Sequence, residues 1–74
     1  MKSKRERFET VATKRVQYIL DKLELLGNCA NRNNYEYGEE DVRKMFVVIK
    51  EHIRKTEIKF GDEIAKKTKS IFKF

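Results

Sequence analysis

The chain contains no proline and no tryptophan, and only one cysteine, one histidine and three glycines occur among its 74 residues. Without proline, no position is barred from a helix interior by ring geometry. The single cysteine, Cys29, cannot form a disulfide within the chain, and one histidine cannot complete a Cys/His zinc cluster. We therefore expect no cofactor and no metal. A lone thiol also fits a reducing compartment.

Long hydrophobic runs are missing as well, and none approaches the ~18 apolar residues that a membrane span requires. The basic N-terminus is not followed by the apolar segment of a secretory signal. We therefore expect a cytoplasmic protein with no membrane partner. Seventy-four residues suffice for a single domain, residues 1–74. A core of this size rarely supplies more than ~3–5 kcal/mol, so a third helix or self-association should add to it.

Two apolar patterns with a period near 3.6 residues are present, and each predicts an amphipathic helix. The first helix is expected at about residues 3–26 and the second at about residues 39–60. The first apolar stripe consists of Phe8, Val11, Ala12, Val16, Ile19, Leu20, Leu23 and Leu26. The second consists of Val42, Met45, Phe46, Ile49, Ile53, Thr56 and Phe60. Tyr35 and Tyr37 alternate with Glu36 in a short extended piece, and because this piece has no obvious strand partner we expect little or no sheet.

Capping residues mark the predicted helix ends. Ser3 is a suitable N-cap with Glu6 as its capping-box partner, and Gly27 suits a left-handed C-terminal position. Residues 27–38 form an asparagine-rich loop, because asparagine favours turns. Gly38 can serve as the N-cap of the second helix. The next three residues are acidic and suit its dipole.

After Gly61, Asp62 is a suitable N-cap for a short third helix over residues 62–73, which would otherwise form a tail. The alternative is that the second helix continues through Gly61 in the same phase. The predicted fold class is all-α: an antiparallel helical hairpin with a short C-terminal third helix. Because each stripe needs more cover than one partner offers, we also expect a homodimer in which two hairpins form a four-helix bundle.

Opposite charges recur four residues apart on the predicted helices, a spacing that stabilises a helix by a few tenths of a kcal/mol per pair. The predicted ion pairs are Glu39–Arg43, Glu40–Lys44, Glu51–Lys55, Asp62–Lys66 and Glu63–Lys67.

The net charge of +6 points to an anionic partner, and the excess lies toward the two ends of the chain. We interpret the basic residues there, with Arg32 in the loop, as candidates for nucleic-acid contacts. These candidates are Lys4, Arg5, Arg7, Lys14, Arg15, Arg32, Lys66, Lys67 and Lys69, with Lys22 on the same helix. The alternative interpretation is a solvated surface that keeps a small protein soluble.

Arg32 lies among four asparagines, and arginine and asparagine are the residues that read guanine and adenine edges. Tyr35 and Tyr37 would be able to stack on single-stranded bases. The structural alternative is favoured, because asparagine is common in loops for backbone reasons alone. The loop is too long for a helix-turn-helix. A ribbon-helix-helix, with a strand at residues 33–37, would direct an acidic residue at DNA.

Catalytic patterns are weak throughout. Cys29 is expected in the loop and His52 far along the second helix, so a nucleophile–base pair is geometrically poor. The consecutive residues Glu39, Glu40 and Asp41 are explained by their place at a helix start. No glycine-rich phosphate loop occurs. We therefore expect no enzyme and no small-molecule substrate.

The segment from Leu26 to Val42, with Arg7-Phe8 before it and Lys59-Phe60 after it, resembles small uncharacterised proteins of phages and conjugative elements of low-GC Gram-positive bacteria. The resemblance covers residues 7–60 and implies a bacterial, mobile-element context without implying an activity. Gly38 stands where similar proteins have Thr or Ser, which weakens the helix cap.

Two functions follow as expectations. The first is a non-enzymatic nucleic-acid-binding accessory or regulatory protein, favoured by charge and context. The alternative is a protein–protein interaction module that acts through its apolar helix face and its loop tyrosines.

Overall fold

A computed structural model of the protein describes residues 3–69, and it describes the side chains of residues 3–66. Helix α1 spans Lys4–Gly27, a 3₁₀ turn spans Asn28–Ala30, and helix α2 spans Glu39–Lys69. No strand occurs in this described part of the chain. The predicted all-α class is therefore confirmed.

The start of α1 is the predicted capping box. The backbone N–H of Glu6 donates to Ser3 Oγ at 3.1 Å, and the Ser3 N–H donates to Glu6 Oε1 at 3.3 Å. These two bonds satisfy donors that the first turn of a helix leaves unpaired. The cap holds even though Lys4, Arg5 and Arg7 oppose the helix dipole.

The end of α1 differs from the prediction. Gly27 has right-handed helical angles, φ −58° and ψ −28°, so the predicted left-handed C-terminal position is wrong. The chain tightens instead into the 3₁₀ turn Asn28–Ala30, which satisfies carbonyls at the helix end. Because the backbone at residue 27 is right-handed, its conformation does not require glycine.

The connection after the 3₁₀ turn is built on Asn31. Its side-chain oxygen accepts from the Asn33 N–H at 2.9 Å, and its backbone carbonyl accepts from the Tyr35 N–H at 3.0 Å. This confirms the turn-forming role predicted for the asparagines. Residues 32–34 form a turn, so no strand occupies residues 33–37 as a ribbon-helix-helix would require.

Gly38 precedes α2 and acts as its N-cap. Its carbonyl accepts from the Val42 N–H at 3.3 Å, and its N–H donates to Asp41 Oδ2 at 2.9 Å. Asp41 thereby makes the same reciprocal bond that Glu6 makes in α1. The acidic first turn of α2 thus contains a specific cap as well as favourable charge.

Helix α2 continues without a break through Gly61 to Lys69. The end expected near Phe60 and the separate third helix after it are therefore absent from the described residues, and the structure follows the alternative of one continuous helix. An interior glycine costs a helix about 1 kcal/mol relative to alanine, which is too little to break the hydrogen-bond ladder on both sides of it. The expected helical residues 70–73 lie outside the described residues.

The chain forms two units, residues 1–36 and residues 37–74, each of which is described by itself. One helix cannot cover its own apolar stripe, and no side chain among residues 3–66 is fully buried. Ile19 in α1 is 55% exposed, Ile64 in α2 is 69% exposed, and Ile49 is partly covered. The antiparallel hairpin and the homodimer therefore stay predictions.

Candidate nucleic-acid interface

Four of the predicted basic residues of α1, together with Lys22, lie on one side of the helix. Lys4, Arg15 and Lys22 follow one another after three and then two helical turns, and Arg7 and Lys14 flank them. At ~100° per residue, the five side chains occupy about a third of the circumference. We call this surface the basic side of α1: Lys4, Arg7, Lys14, Arg15 and Lys22.

Three of the four acidic residues of α1 are kept away from the basic side by their spacing. Glu6, Glu9 and Glu24 each follow a basic residue of that side by two positions, and two positions turn a helix by ~200°. The three glutamates therefore point away from it. The fourth, Asp21, lies at the edge of the basic side and accepts from Gln17 Nε2 at 2.8 Å. Among the described residues, the structure has no ion pair for any member of the basic side.

An aromatic ring also lies on the basic side. The Lys22 ammonium is 5.0 Å from the centroid of the Tyr18 ring, a cation–π arrangement, and Tyr18 is 63% exposed. Tyr18 comes four residues before Lys22 and three after Arg15, so the ring lies between their side chains. A ring beside several cations is a combination that nucleic-acid-binding surfaces use.

Arg5, another predicted site residue, lies apart from this surface. Its Nε is 3.1 Å from Glu9 Oε2, and its guanidinium carbon is 5.6 Å from the centroid of the Phe8 ring. Phe8 belongs to the apolar stripe, so Arg5 projects along that stripe. Its charge is already engaged twice within α1.

The remaining predicted site residues are distributed over the connection and the end of α2. Arg32 is exposed in the turn at residues 32–34. Lys66 Nζ is 3.4 Å from Glu63 Oε1, where the predicted partner was Asp62. Lys67 and Lys69 lie within α2, and their side chains are outside the described residues. Each unit thus contains its own group of predicted basic residues.

Helix α2 contains a basic surface that sequence reasoning missed. Lys44, Lys55, Lys59 and Lys66 follow one another at intervals of eleven, four and seven residues, which places them along one side of the helix. We call these four residues the lysine row of α2. Lys66 is already among the predicted site residues. Lys44 and Lys55 were missed because their sequence spacing pairs them with glutamates, and the helical spacing was the signal that would have found them and Lys59.

The predicted ion pairs of α2 are replaced by others. Glu40 pairs with Arg43 at 2.8 Å, and Glu51 pairs with Arg54 at 2.8 Å, each across three residues. Glu51 also accepts from Arg54 Nε at 3.3 Å, so its carboxylate contacts two N–H groups of one guanidinium. The carboxylate raises the pKa of Arg54 above its ordinary value.

Each of these glutamates has an arginine three residues ahead and a lysine four residues ahead, and both lie within reach. The arginine is preferred because its planar fork matches a carboxylate with two donors, whereas a lysine offers a point charge. In the described structure, Lys44 and Lys55 consequently have no ion pair, and Lys59 has none either.

The only thiol and the only imidazole are both exposed. Cys29 lies in the 3₁₀ turn, and the backbone carbonyl of His52 accepts from Thr56 Oγ1 at 2.8 Å within α2. No group of three His, Cys, Asp or Glu side chains that would hold a metal ion occurs among the described residues.

No helix in the described range has a stretch that is both long enough and apolar enough to cross a membrane.

The chain matches no protein-family model, no curated protein and no solved structure.

Proposed function

We propose that the protein is a non-enzymatic nucleic-acid-binding accessory or regulatory protein, and that the basic side of α1 contacts phosphates. The observation that carries this proposal is the separation of charge around α1. Five cations lie on one side without an ion pair among the described residues, while three of the four carboxylates of α1 point away and the fourth, Asp21, is bonded to Gln17. Arg32 and the basic end of α2 add contacts to the same partner. Phosphate contacts of this kind tolerate different base sequences and weaken as salt rises.

The experiment is a titration of the full chain with fluorescently labelled duplex and single-stranded DNA and RNA at several salt concentrations. Each phosphate contact contributes about −0.9 to the slope of log affinity against log salt for duplex DNA. Five contacts would weaken binding by about two to three orders of magnitude between ~50 and ~200 mM salt. A chain that binds no nucleic acid at low salt would refute the proposal.

The two apolar stripes support antiparallel pairing of α1 and α2, because their spacings mirror each other. Along α1, Phe8, Ala12, Val16, Ile19, Leu23 and Leu26 are separated by four, four, three, four and three residues. Along α2, Phe46, Ile49, Ile53, Thr56, Phe60 and Ile64 are separated by three, four, three, four and four. We therefore propose a hairpin in which Leu26 pairs with Phe46 and Phe8 with Ile64. The pairing of Phe8 with Ile64 requires that α2 continue past Gly61, as it does.

We further propose that two hairpins associate, since each stripe would keep one edge exposed within a single hairpin. Ile49→Lys places a charge in the stripe of α2 and should convert the dimer to a monomer or unfold the chain. Lys50→Gln, on the adjacent exposed surface, is the control. Gel filtration with light scattering measures the mass, and circular dichroism measures the helix content. A wild-type monomer that Ile49→Lys leaves unchanged would refute the association.

Exposed apolar side chains on both helices favour a second candidate function, that of a protein–protein interaction module. Val47 and Ile58 of α2 are 60% and 45% exposed and lie outside the stripe, eleven residues apart on one side. Tyr35 in the connection is 52% exposed. A partner retained after nuclease treatment, and lost with Val47→Ser or Tyr35→Ser, would favour this function over the first.

The cellular setting is also a proposal. The resemblance over residues 7–60 supports a bacterial mobile-element context, and the single cysteine supports a cytoplasmic one.

A further inference from the structure

We infer that the lysine row of α2 is a second phosphate-binding surface and that its ligand is the backbone of a nucleic-acid duplex. This inference deepens the proposed function, which assigned the contacts to α1, to Arg32 and to the end of α2. It depends on two features of the structure. Helix α2 is continuous through Gly61, and Glu40 and Glu51 pair with arginines and not with lysines.

Continuity matters because it places Lys66 in phase with the other members of the row. From Lys44 to Lys66 the helix rises by about 33 Å at 1.5 Å per residue. A separate third helix after Gly61 would direct Lys66 elsewhere. The row therefore extends over about one turn of a DNA duplex.

The ion pairs matter because they determine which cations remain available. Arg43 and Arg54 are neutralised by Glu40 and Glu51 at 2.8 Å, so the arginine flank of α2 presents little net charge. In the described part of the chain, Lys44, Lys55 and Lys59 face no carboxylate partner, and Lys66 has only the longer 3.4 Å contact with Glu63.

A duplex fits this row better than a single strand does. Proteins that bind single strands without sequence preference place aromatic rings between their cations, so that bases stack on the rings. Val48 and His52 are the uncharged neighbours of the row on α2, and neither Phe46 nor Phe60 lies on that side. A straight row of ammonium groups suits the regular phosphates of a duplex, which carry one charge per ~1.7 Å of helix axis.

The test uses one triple variant and a pair of single variants with the same change in net charge. Lys44→Gln/Lys55→Gln/Lys59→Gln removes most of the row, and Lys59→Gln is compared with Lys50→Gln, which removes one cation from the other flank. Arg43 and Arg54 stay in place, because their loss would free Glu40 and Glu51 to pair with Lys44 and Lys55. The probe is a labelled mixed-sequence DNA duplex of about twenty base pairs, with one of its strands as the second arm. Circular dichroism first checks that each variant remains helical.

We expect the row variant to lower the salt slope by about two to three and to weaken duplex binding by at least tenfold at ~100 mM salt. Lys59→Gln should lower the salt slope by about one, and Lys50→Gln should change the affinity by less than about threefold. Equal losses in Lys59→Gln and Lys50→Gln, an unaffected row variant, or tighter binding of the single strand would overturn the inference. If the wild-type chain binds neither probe, the proposed function itself fails.

A single substitution provides an independent test of phosphate binding by the lysine row if the triple variant loses helix content. Asp62 and Glu63 both lie between Lys59 and Lys66, and of the two only Glu63 has an ion pair in the described structure. Asp62→Asn removes its repulsion of phosphate and should strengthen duplex binding by a few-fold, whereas Glu57→Gln on the other flank should leave it unchanged. If Asp62→Asn does not strengthen duplex binding, that result contradicts phosphate binding by the lysine row.

Discussion

Helices α1 and α2 are both amphipathic, and they differ in where their charged side chains lie and in how these side chains pair. Helix α1 begins with cations that oppose its dipole, whereas α2 begins with Glu39, Glu40 and Asp41, which favour it. Around its circumference, α1 turns its three glutamates away from the basic side, although Arg5 pairs with Glu9 and Asp21 lies at the edge of that side. Helix α2 instead pairs its arginines with glutamates three residues away. Both helices nevertheless start with a reciprocal side-chain bond at the cap.

The difference shows that a capping bond is enough to start a helix against an unfavourable dipole. A cap contributes about 1 kcal/mol, and a charge near a helix end contributes about 0.3–1 kcal/mol. In α1 the two effects oppose each other, and in α2 they add. The cations at the start of α1 therefore lower the stability of that helix.

The largest expected effect concerns the middle of α2. Gly61→Pro removes a backbone donor and introduces a clash with the carbonyl four residues earlier, which costs about 3 kcal/mol or more. We expect the helix beyond residue 61 to be lost, with a clear drop in helical circular dichroism.

Gly61→Ala is the control for that change and should act in the opposite direction. No atom lies within 4 Å of a Cβ built at Gly61, so alanine fits and should stabilise α2 by up to about 1 kcal/mol. A loss of helix content in Gly61→Ala would contradict a continuous α2, because it would indicate a left-handed glycine there.

The next effect concerns the cap that offsets the cations of α1. Ser3→Ala removes the acceptor of the Glu6 N–H bond and should cost α1 about 1 kcal/mol, with faster amide exchange in its first turn. Thr10→Ala, within the same helix, should instead increase helicity slightly, since alanine is the better helix former. Equal exchange rates in Ser3→Ala and the wild type would show that the cap does not hold this end.

A smaller effect separates the helix role of the first-turn cations from their ligand role. Lys4→Gln and Arg5→Gln each remove one charge that opposes the dipole, and each change is worth a few tenths of a kcal/mol to the helix. Only Lys4 lies on the basic side, so only Lys4→Gln should lower the salt slope of duplex binding, by about one. Equal slopes for both variants would argue against the basic side as the contact surface.

The smallest effect concerns the cap of α2. Gly38→Ser would supply a hydroxyl acceptor like that of Ser3 and should stabilise α2 by a few tenths of a kcal/mol. The nearest atom to a Cβ at Gly38 is Asp41 Oδ2 at 4.0 Å, so the side chain fits. Thermal melts followed by circular dichroism would detect the shift, with Gly38→Ser/Asp41→Asn as the control that removes the reciprocal bond.

Much of the helical framework was predictable from local patterns. The start of α1 at Ser3, the turn at Asn31 and the start of α2 after Gly38 all depend on residues three or four positions apart. Gly27 and Gly61 were misinterpreted for one reason, which is that glycine at the end of an apolar pattern is compatible with both a helix end and a helix interior. The structure has right-handed helix at both positions.

The candidate site was predictable in part. The basic side of α1 follows from helical spacing alone, and the structure adds that Arg5 is engaged with Glu9 and Phe8. Only Lys66 of the lysine row was among the predicted site residues. Lys44 and Lys55 were not, because a glutamate that has an arginine three residues later and a lysine four residues later can pair with either. Side-chain geometry, and not spacing, distinguishes the two.

The sequence by itself determined that this chain forms two amphipathic helices joined by a turn, because periodicity and capping act between near neighbours and nothing interrupts them. Only the three-dimensional structure decided that α2 crosses Gly61 and that its carboxylates bind arginine. In both cases the alternatives differ by about 1 kcal/mol or less. Differences of that size are settled by the hydrogen bonds and side-chain geometry of the whole helix, which no short pattern contains.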